Sequence, residues 1–293
     1  MLKRKNMKII VTGANGQLGQ CLKDSAKDNH FWKWCSRHDL DIGNIDDVRK
    51  VLTEFIPDVV INCAAYTNVA NAEIEEELAI KTNVIGVKNL KEVCREIGAK
   101  VIHISTDYVF DGSKASSYSE QDATNPINFY GRTKLNGESF LDEDKDLIIR
   151  TSWLYSEYGH NFFMTMKKKM QDSTSEEIIK VVDDQVGSPT YARDLAQFIV
   201  RTLDEEDFMQ RSGTYHYTND GVCSWYDFAI AIRDLINPKC VVLPTKTSGF
   251  VKRPSFSKLE CSKLKNDFDT ELLHWHYSLK RCVYLMNAKR ALN

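Results

Sequence analysis

Through the first two-thirds of the chain, short β-branched apolar runs alternate with stretches in which apolar residues recur every three or four positions. That alternation predicts parallel strands joined by crossover helices. Strands are expected near Lys8 to Thr12, Phe31 to Cys35, Val59 to Asn62, Val101 to Ser105, Leu147 to Arg150 and Ile178 to Val182. Helices are expected over Glu73 to Asn83 and Val87 to Ile97, each with one apolar face to bury on a sheet. The fold class implied is α/β, a Rossmann-like doubly wound parallel sheet. After Arg150 the alternation becomes irregular, with an amphipathic stretch Phe162 to Met170, a strand at Ile178 and an aromatic segment around Trp225 and Tyr226. The expected organisation is therefore an NAD(P)-binding domain built from residues 1–152 and 178–215. A smaller C-terminal substrate-binding lobe takes residues 153–177 and 216–293.

Composition narrows the partners. At 293 residues and 42% hydrophobic content, the chain is long enough to bury a full core. Its 39 Lys and Arg against 41 Asp and Glu give a net charge of -2, which offers no cationic field to a nucleic-acid backbone. The eight cysteines form no Cys-x-x-Cys pair, so they read as reduced thiols and a cytoplasmic location is expected. The apolar run Ile9 to Val11 is too short for a secretory leader, and no stretch approaches the about 18 apolar residues of a membrane span.

Directly after the first expected strand stands Thr12-Gly13-Ala14-Asn15-Gly16-Gln17-Leu18-Gly19. Gly13 suits a tight turn, Gly16 lets backbone approach a pyrophosphate, and Gly19 lets the helix pack against the strand. The helix N-terminus would then face the phosphates with unpaired N–H groups. The end of the second strand reads Trp34-Cys35-Ser36-Arg37-His38, with no carboxylate to bind a ribose 2′-hydroxyl. Arg37 could accept a 2′-phosphate, so NADPH is favoured and NADH is left open.

The fourth strand ends in Ser105-Thr106-Asp107-Tyr108, and Tyr130-Gly131-Arg132-Thr133-Lys134 follows downstream. On a helix, Tyr130 and Lys134 share a face. A neighbouring ammonium is expected to draw the tyrosine pKa down towards working pH, which suits proton transfer to a carbonyl oxygen. Thr106 would hydrogen-bond that oxygen, and Lys134 would also hold the nicotinamide ribose. Tyr-x-x-x-Lys alone is common by chance; the glycine turn, the strand-end hydroxyl and their order along the chain give it weight.

These segments resemble the dTDP-4-dehydrorhamnose reductase family of extended short-chain dehydrogenase/reductases. The resemblance also takes in Ile61 to Thr67, Ser105 to Gly112, Tyr130 to Glu138, Arg150 to Tyr155, Gly159 to Phe162, Asp184 to Thr190, Gly213 to Tyr217, Ser224 to Phe228 and Arg253-Pro254. It implies NAD(P)H-dependent reduction of the 4-keto group of a nucleotide-linked deoxysugar, with Thr106, Tyr130 and Lys134 catalytic. It would place Gly13, Asn15, Gly16, Gln17, Leu18, Gly19, Arg37, Asp41, Ile42, Asn62, Cys63, Ala64, Ala65 and Tyr66 around the cofactor. Thr106, Asp107, Trp153, Asn161 and Arg253 would face the nucleotide sugar, with Arg253 a candidate diphosphate ligand. A 3,5-epimerase would act upstream, and the protein would be a monomer or weak dimer.

The chain departs from the family at Ala70, where an acidic residue is usual, and at Gln20 and Cys21, where some members place a glutamate that holds magnesium between subunits. No metal is expected. Tyr108 stands where related dehydratases carry a glutamate, which argues against dehydration. An epimerase or epimerase-reductase stays open. So does a non-catalytic NADP-binding subunit resembling the regulatory subunit of methionine adenosyltransferase, although the intact Thr106, Tyr130 and Lys134 argue against it.

Overall fold

A computed structural model describes residues 6–172 and 178–291. Its strands are β1 (Lys8–Thr12), β2 (Phe31–Cys35), β3 (Val59–Asn62), β4 (Lys100–Thr106), β5 (Leu147–Thr151), β6 (Ile178–Val182), β7 (Gly213–His216) and β8 (Val241–Thr245). The helices that matter below are α1 (Gln17–Ser25), α2 (Ile45–Phe55), α3 (Gly86–Ile97), α4 (Phe129–Glu138), α5 (Phe162–Asp172), α6 (Ala192–Thr202), α7 (Trp225–Ile236) and α8 (Trp275–Ala291).

One parallel sheet runs in the order β2–β1–β3–β4–β5–β7. Every residue of β3 and β5 is buried, as continuous apolar strands require when helices cover both faces. On one face Ile9 and Val11 share a core with Leu22 of α1 and Leu195 and Ile199 of α6. On the other, Ile10, Val60 and Val101 pack with Val48 of α2 and Leu90 of α3. From β2 the chain crosses back past β1 to β3, and that reversal opens a crevice beyond the carboxyl ends of β1 and β3.

Two expectations change. The strand Ile178–Val182 exists, but β6 pairs in parallel with β8 in a separate two-stranded sheet. Ile179 and Val181 pack with Phe163, Phe228, Val242 and Leu279 in a second hydrophobic core, and the chain rejoins the main sheet at β7. The helix expected over Glu73 to Asn83 is broken: a short turn at Val69–Ala72 precedes a helix from Glu76 that runs through a π-helical turn, Lys81–Ile85, into α3. The widened turn meets α4, where Gly137 packs against the Asn83 carbonyl too closely for any side chain. Asn83 donates from its side-chain amide to Thr133 Oγ1 at 3.0 Å and to the Tyr66 carbonyl at 3.0 Å.

Candidate active site

The glycine turn lies at the crevice. Gly13 has φ +63°, and a Cβ there would sit 2.7 Å from the Ala64 nitrogen and 2.8 Å from its Cα, so only glycine fits between the ends of β1 and β3. A Cβ on Gly19 would meet the Gly13 carbonyl at 2.6 Å. Gly16 begins α1 with no side-chain cap, leaving the first N–H groups of the helix for an anion. These are the features a dinucleotide pyrophosphate needs. Gly13→Ala is expected to lower the unfolding free energy by about 1–3 kcal/mol, the usual size of a forced unfavourable backbone conformation, read from urea unfolding midpoints.

Helix α4 carries Tyr130 and Lys134 and is fixed at its start by two acceptors. Asn128 Oδ1 takes the Gly131 N–H at 2.8 Å, and Glu73 Oε1 takes the Phe129 N–H at 2.7 Å. The first turn of α4 is thus held by a carboxylate despite Ala70. Thr106, at the end of β4, donates to Asp107 Oδ1 at 3.1 Å and accepts the Tyr108 N–H at 3.2 Å. Its side chain also hydrogen-bonds Tyr130.

The electrostatics differ from the sequence expectation for Tyr130. Burial pushes the phenol up to about 12, against a lowering hydrogen bond with Thr106, and no cation offsets the loss of solvent. Lys134 is the reason. Its Nζ donates to the Ile104 carbonyl at 2.7 Å and lies 3.3 Å from His103 Nε2, and burial draws it down to about 8. Tyr130 is therefore a fully protonated phenol at neutral pH. Burial also pushes Asp107 up to about 7, opposed by hydrogen bonds from Ser257 and Thr106.

Gly13, Gly16, Gln17, Leu18 and Gly19 meet Thr106, Asp107, Tyr130, Lys134, Trp153 and Asn161 around one cavity of about 550 Å³, which Cys63 and Ala65 also line. Asn15, Arg37, Asp41, Ile42, Ala64, Tyr66 and Arg253 lie outside its wall. Arg37 and Arg253 are exposed, Asp41 is paired with Lys81 at 2.9 Å, and the Tyr66 hydroxyl donates to Glu75. Asn62 lies beneath the cavity, its side chain turned to Thr12 and His103. The charge of Arg253 reaches the Tyr108 phenol, so that arginine stands near the end of the cavity lined by Thr106, Asp107 and Tyr108.

Long-range contacts complete the site in ways the linear pattern did not reveal. Trp153 has φ +47°, and its indole stacks on Trp225 with centroids 3.6 Å apart and planes 7° apart. A Cβ on Gly187 would strike that indole at 2.9 Å. Gln17 joins the two sides of the cavity: its Nε2 donates to the Leu154 carbonyl at 3.1 Å and its Oε1 accepts from Asn161 Nδ2 at 3.3 Å. The aromatic segment at Trp225 was visible in the sequence, but its partner lies 72 positions away (225 − 153).

Residues 7–287 match the family model described as the RmlD substrate binding domain. The chain is 37% identical over 288 residues to a dTDP-4-dehydrorhamnose reductase of Aggregatibacter actinomycetemcomitans, covering 93% of this chain and 97% of that protein. It is 38% identical over 287 residues to a dTDP-4-keto-6-deoxy-D-glucose reductase of Streptomyces niveus, covering 95% and 97%. Among solved structures, a Bacillus anthracis dTDP-4-dehydrorhamnose reductase in complex with NADP superposes with a TM-score of 0.89 at 40% identity, covering 94% of this chain and 98% of that one. This chain belongs to the dTDP-4-dehydrorhamnose reductase family.

Proposed function

We propose that this protein reduces the 4-keto group of dTDP-4-dehydro-L-rhamnose to give dTDP-L-rhamnose, with NADPH as the reductant. The observation that carries the reading is the convergence of Thr106, Tyr130 and Lys134 on the cavity entered by the glycine turn. NADPH, when bound, supplies the hydride. Gly13, Asn15, Gly16, Gln17, Leu18 and Gly19 hold its pyrophosphate through backbone N–H groups and the start of α1. Arg37 takes the 2′-phosphate, with Asp41, Ile42, Cys63, Ala64, Ala65 and Tyr66 on the adenosine and ribose side.

Tyr130 gives its phenolic proton to the carbonyl oxygen as that oxygen gains charge, and Thr106 hydrogen-bonds the same oxygen. Lys134, one turn along α4, holds the nicotinamide ribose. Trp153 lies against the sugar, while Asp107, Asn161 and Arg253 hold the nucleotide-sugar side. The substrate ketone arises through a 3,5-epimerase acting upstream, and the protein works in the cytoplasm as a monomer or weak dimer. Among the described residues no helix is long and apolar enough to cross a membrane.

A second substrate is favoured by the Streptomyces relative, whose name specifies the unepimerised 4-keto-6-deoxy-D-glucose nucleotide. One assay separates the two. Loss of NADPH absorbance with dTDP-4-keto-6-deoxyglucose is expected only when a 3,5-epimerase is added. Equal turnover without the epimerase would move the assignment to the second substrate, and cofactor binding without oxidation in either case would sink both.

A further inference from the structure

Lys134 does not rest on the floor of the cavity alone. Behind it stands His103, in the middle of β4, an imidazole with no access to solvent in a strand whose residues are buried except for the half-buried Ile104. Asn62 and Thr12, also fully enclosed, continue the line back to β1.

The donors and acceptors along this line can be assigned. The Ala64 backbone N–H donates to Asn62 Oδ1 at 3.2 Å, and Thr12 Oγ1 donates to the same oxygen at 2.7 Å. A backbone N–H can only donate, so this oxygen is the Asn62 carbonyl. The Asn62 amide N–H must then face His103 Nδ1, 3.0 Å away, and Nδ1 accepts. A neutral imidazole that accepts at Nδ1 carries its proton on Nε2. That Nε2 is the atom 3.3 Å from Lys134 Nζ.

We infer that His103 is a positioning residue for Lys134: Asn62 locks its Nε2–H tautomer, and that N–H, aimed at Nζ, loosens the lysine's hold on its proton. An ammonium has donors only, so an N–H pointing at it is unfavourable, whereas the neutral amine offers a lone pair that accepts. His103 itself stays neutral, because burial and the neighbouring lysine hold it well below the ordinary histidine range. The other groups acting on Nζ pull the opposite way. They are the Ile104 carbonyl, Glu138 one turn along α4 and the Cys63 thiol from the end of β3, while the Tyr130 phenol lies one turn back. Removing the Nε2–H leaves burial as the effect still opposing these groups and makes the lysine more basic.

The catalytic use of this effect rests on the reductase reading; the tautomer and the lysine titration do not. Both are measured on the protein free of ligands. In ¹⁵N-labelled protein, long-range proton–nitrogen spectra are expected to give His103 the neutral Nε2–H pattern between pH 6 and 9, assigned by its loss in His103→Leu. In protein carrying ¹³C at the lysine ε-carbon, Lys134 is assigned by its loss in Lys134→Met and is expected to titrate near 8. His103→Leu is expected to raise that titration by about one pH unit.

If His103→Leu fails to fold, Asn62→Asp tests the same point, because a carboxylate there would accept from Nδ1–H and turn Nε2 into an acceptor for the ammonium. It too should move the titration upward, and the alkaline limb of cofactor oxidation with it. An Nδ1–H tautomer in the wild type, or a Lys134 titration unmoved in the variants, would overturn the inference. The expected tautomer and shift, found in a protein that oxidises no NADPH with any sugar nucleotide, would support the inference while removing the reductase reading.

Discussion

Tyr130→Phe is expected to lower kcat for NADPH oxidation by about 10²–10⁴, the usual size of a lost acid-base catalyst. The substitution removes one oxygen and little else. The ring of Tyr130 meets Tyr108 edge-on with centroids 5.8 Å apart, a contact phenylalanine keeps. Thr106 retains both its bond to Asp107 and the Tyr108 N–H. The melting temperature and the affinity for NADPH should therefore stay close to wild type, so the loss falls on kcat rather than on KM. Because burial holds the phenol up at about 12, the proton is on the oxygen throughout the working range, and the rate should not rise with acid as it would for a half-ionised donor. Asp107, pushed up to about 7, is a carboxyl in the same cavity able to hold a proton at neutral pH. A variant that kept more than about a tenth of its activity, with a rate that fell as pH rose through 7, would transfer the proton-donor role to Asp107.

What could be seen in advance divides by range along the chain. The bounds of β1 and β3 follow directly from short apolar runs, because parallel strands buried on both faces leave few polar positions to blur them, while β2, the edge strand with Lys33 at its centre, follows from its aromatic run. The Gly13 to Gly19 turn and the Tyr130–Lys134 pair are equally local: one is a strand-to-helix turn, the other a single helical turn. Ile178–Val182 was recognisable as a strand but not as a member of its sheet. Its alternating exposure, with Ile179 and Val181 inward and Ile178 and Lys180 outward, belongs to a sheet covered on one side, and its partner β8 lies some sixty residues on. The expected pKa of Tyr130 failed for a different reason. Spacing placed Lys134 on the same face, but the cost of burying the phenol, and the capture of the ammonium by the Ile104 carbonyl, depend on tertiary packing that no helical repeat encodes.

Glu138→Gln is expected to cost about 3–5 kcal/mol of folding free energy, the range for breaking a buried ion pair by removing one partner. Glu138 and Arg150 are each only 6% exposed. The guanidinium binds the carboxylate through Nη2 to Oε2 at 2.7 Å and Nε to Oε1 at 3.1 Å, and Ser105 donates to Oε1 as well. A glutamine keeps the shape but takes away the carboxylate that the Arg150 guanidinium hydrogen-bonds, leaving it beside the Phe110 ring 5.4 Å away and within electrostatic reach of Glu120. The pair joins the last turn of α4 to β5, so the helix bearing Tyr130 and Lys134 depends on it for its seat against the sheet. Replacing both partners, as in Glu138→Met with Arg150→Met, should recover much of the loss, since matched apolar groups need no desolvated charge to be balanced. Urea unfolding of the two variants beside the wild type decides the matter, and a single-variant cost below about 1 kcal/mol would mean that water reaches the pair. The same substitution takes a negative neighbour from Lys134 and should move its titration down, opposite in direction to His103→Leu, so the two variants together bracket what holds the proton on that lysine.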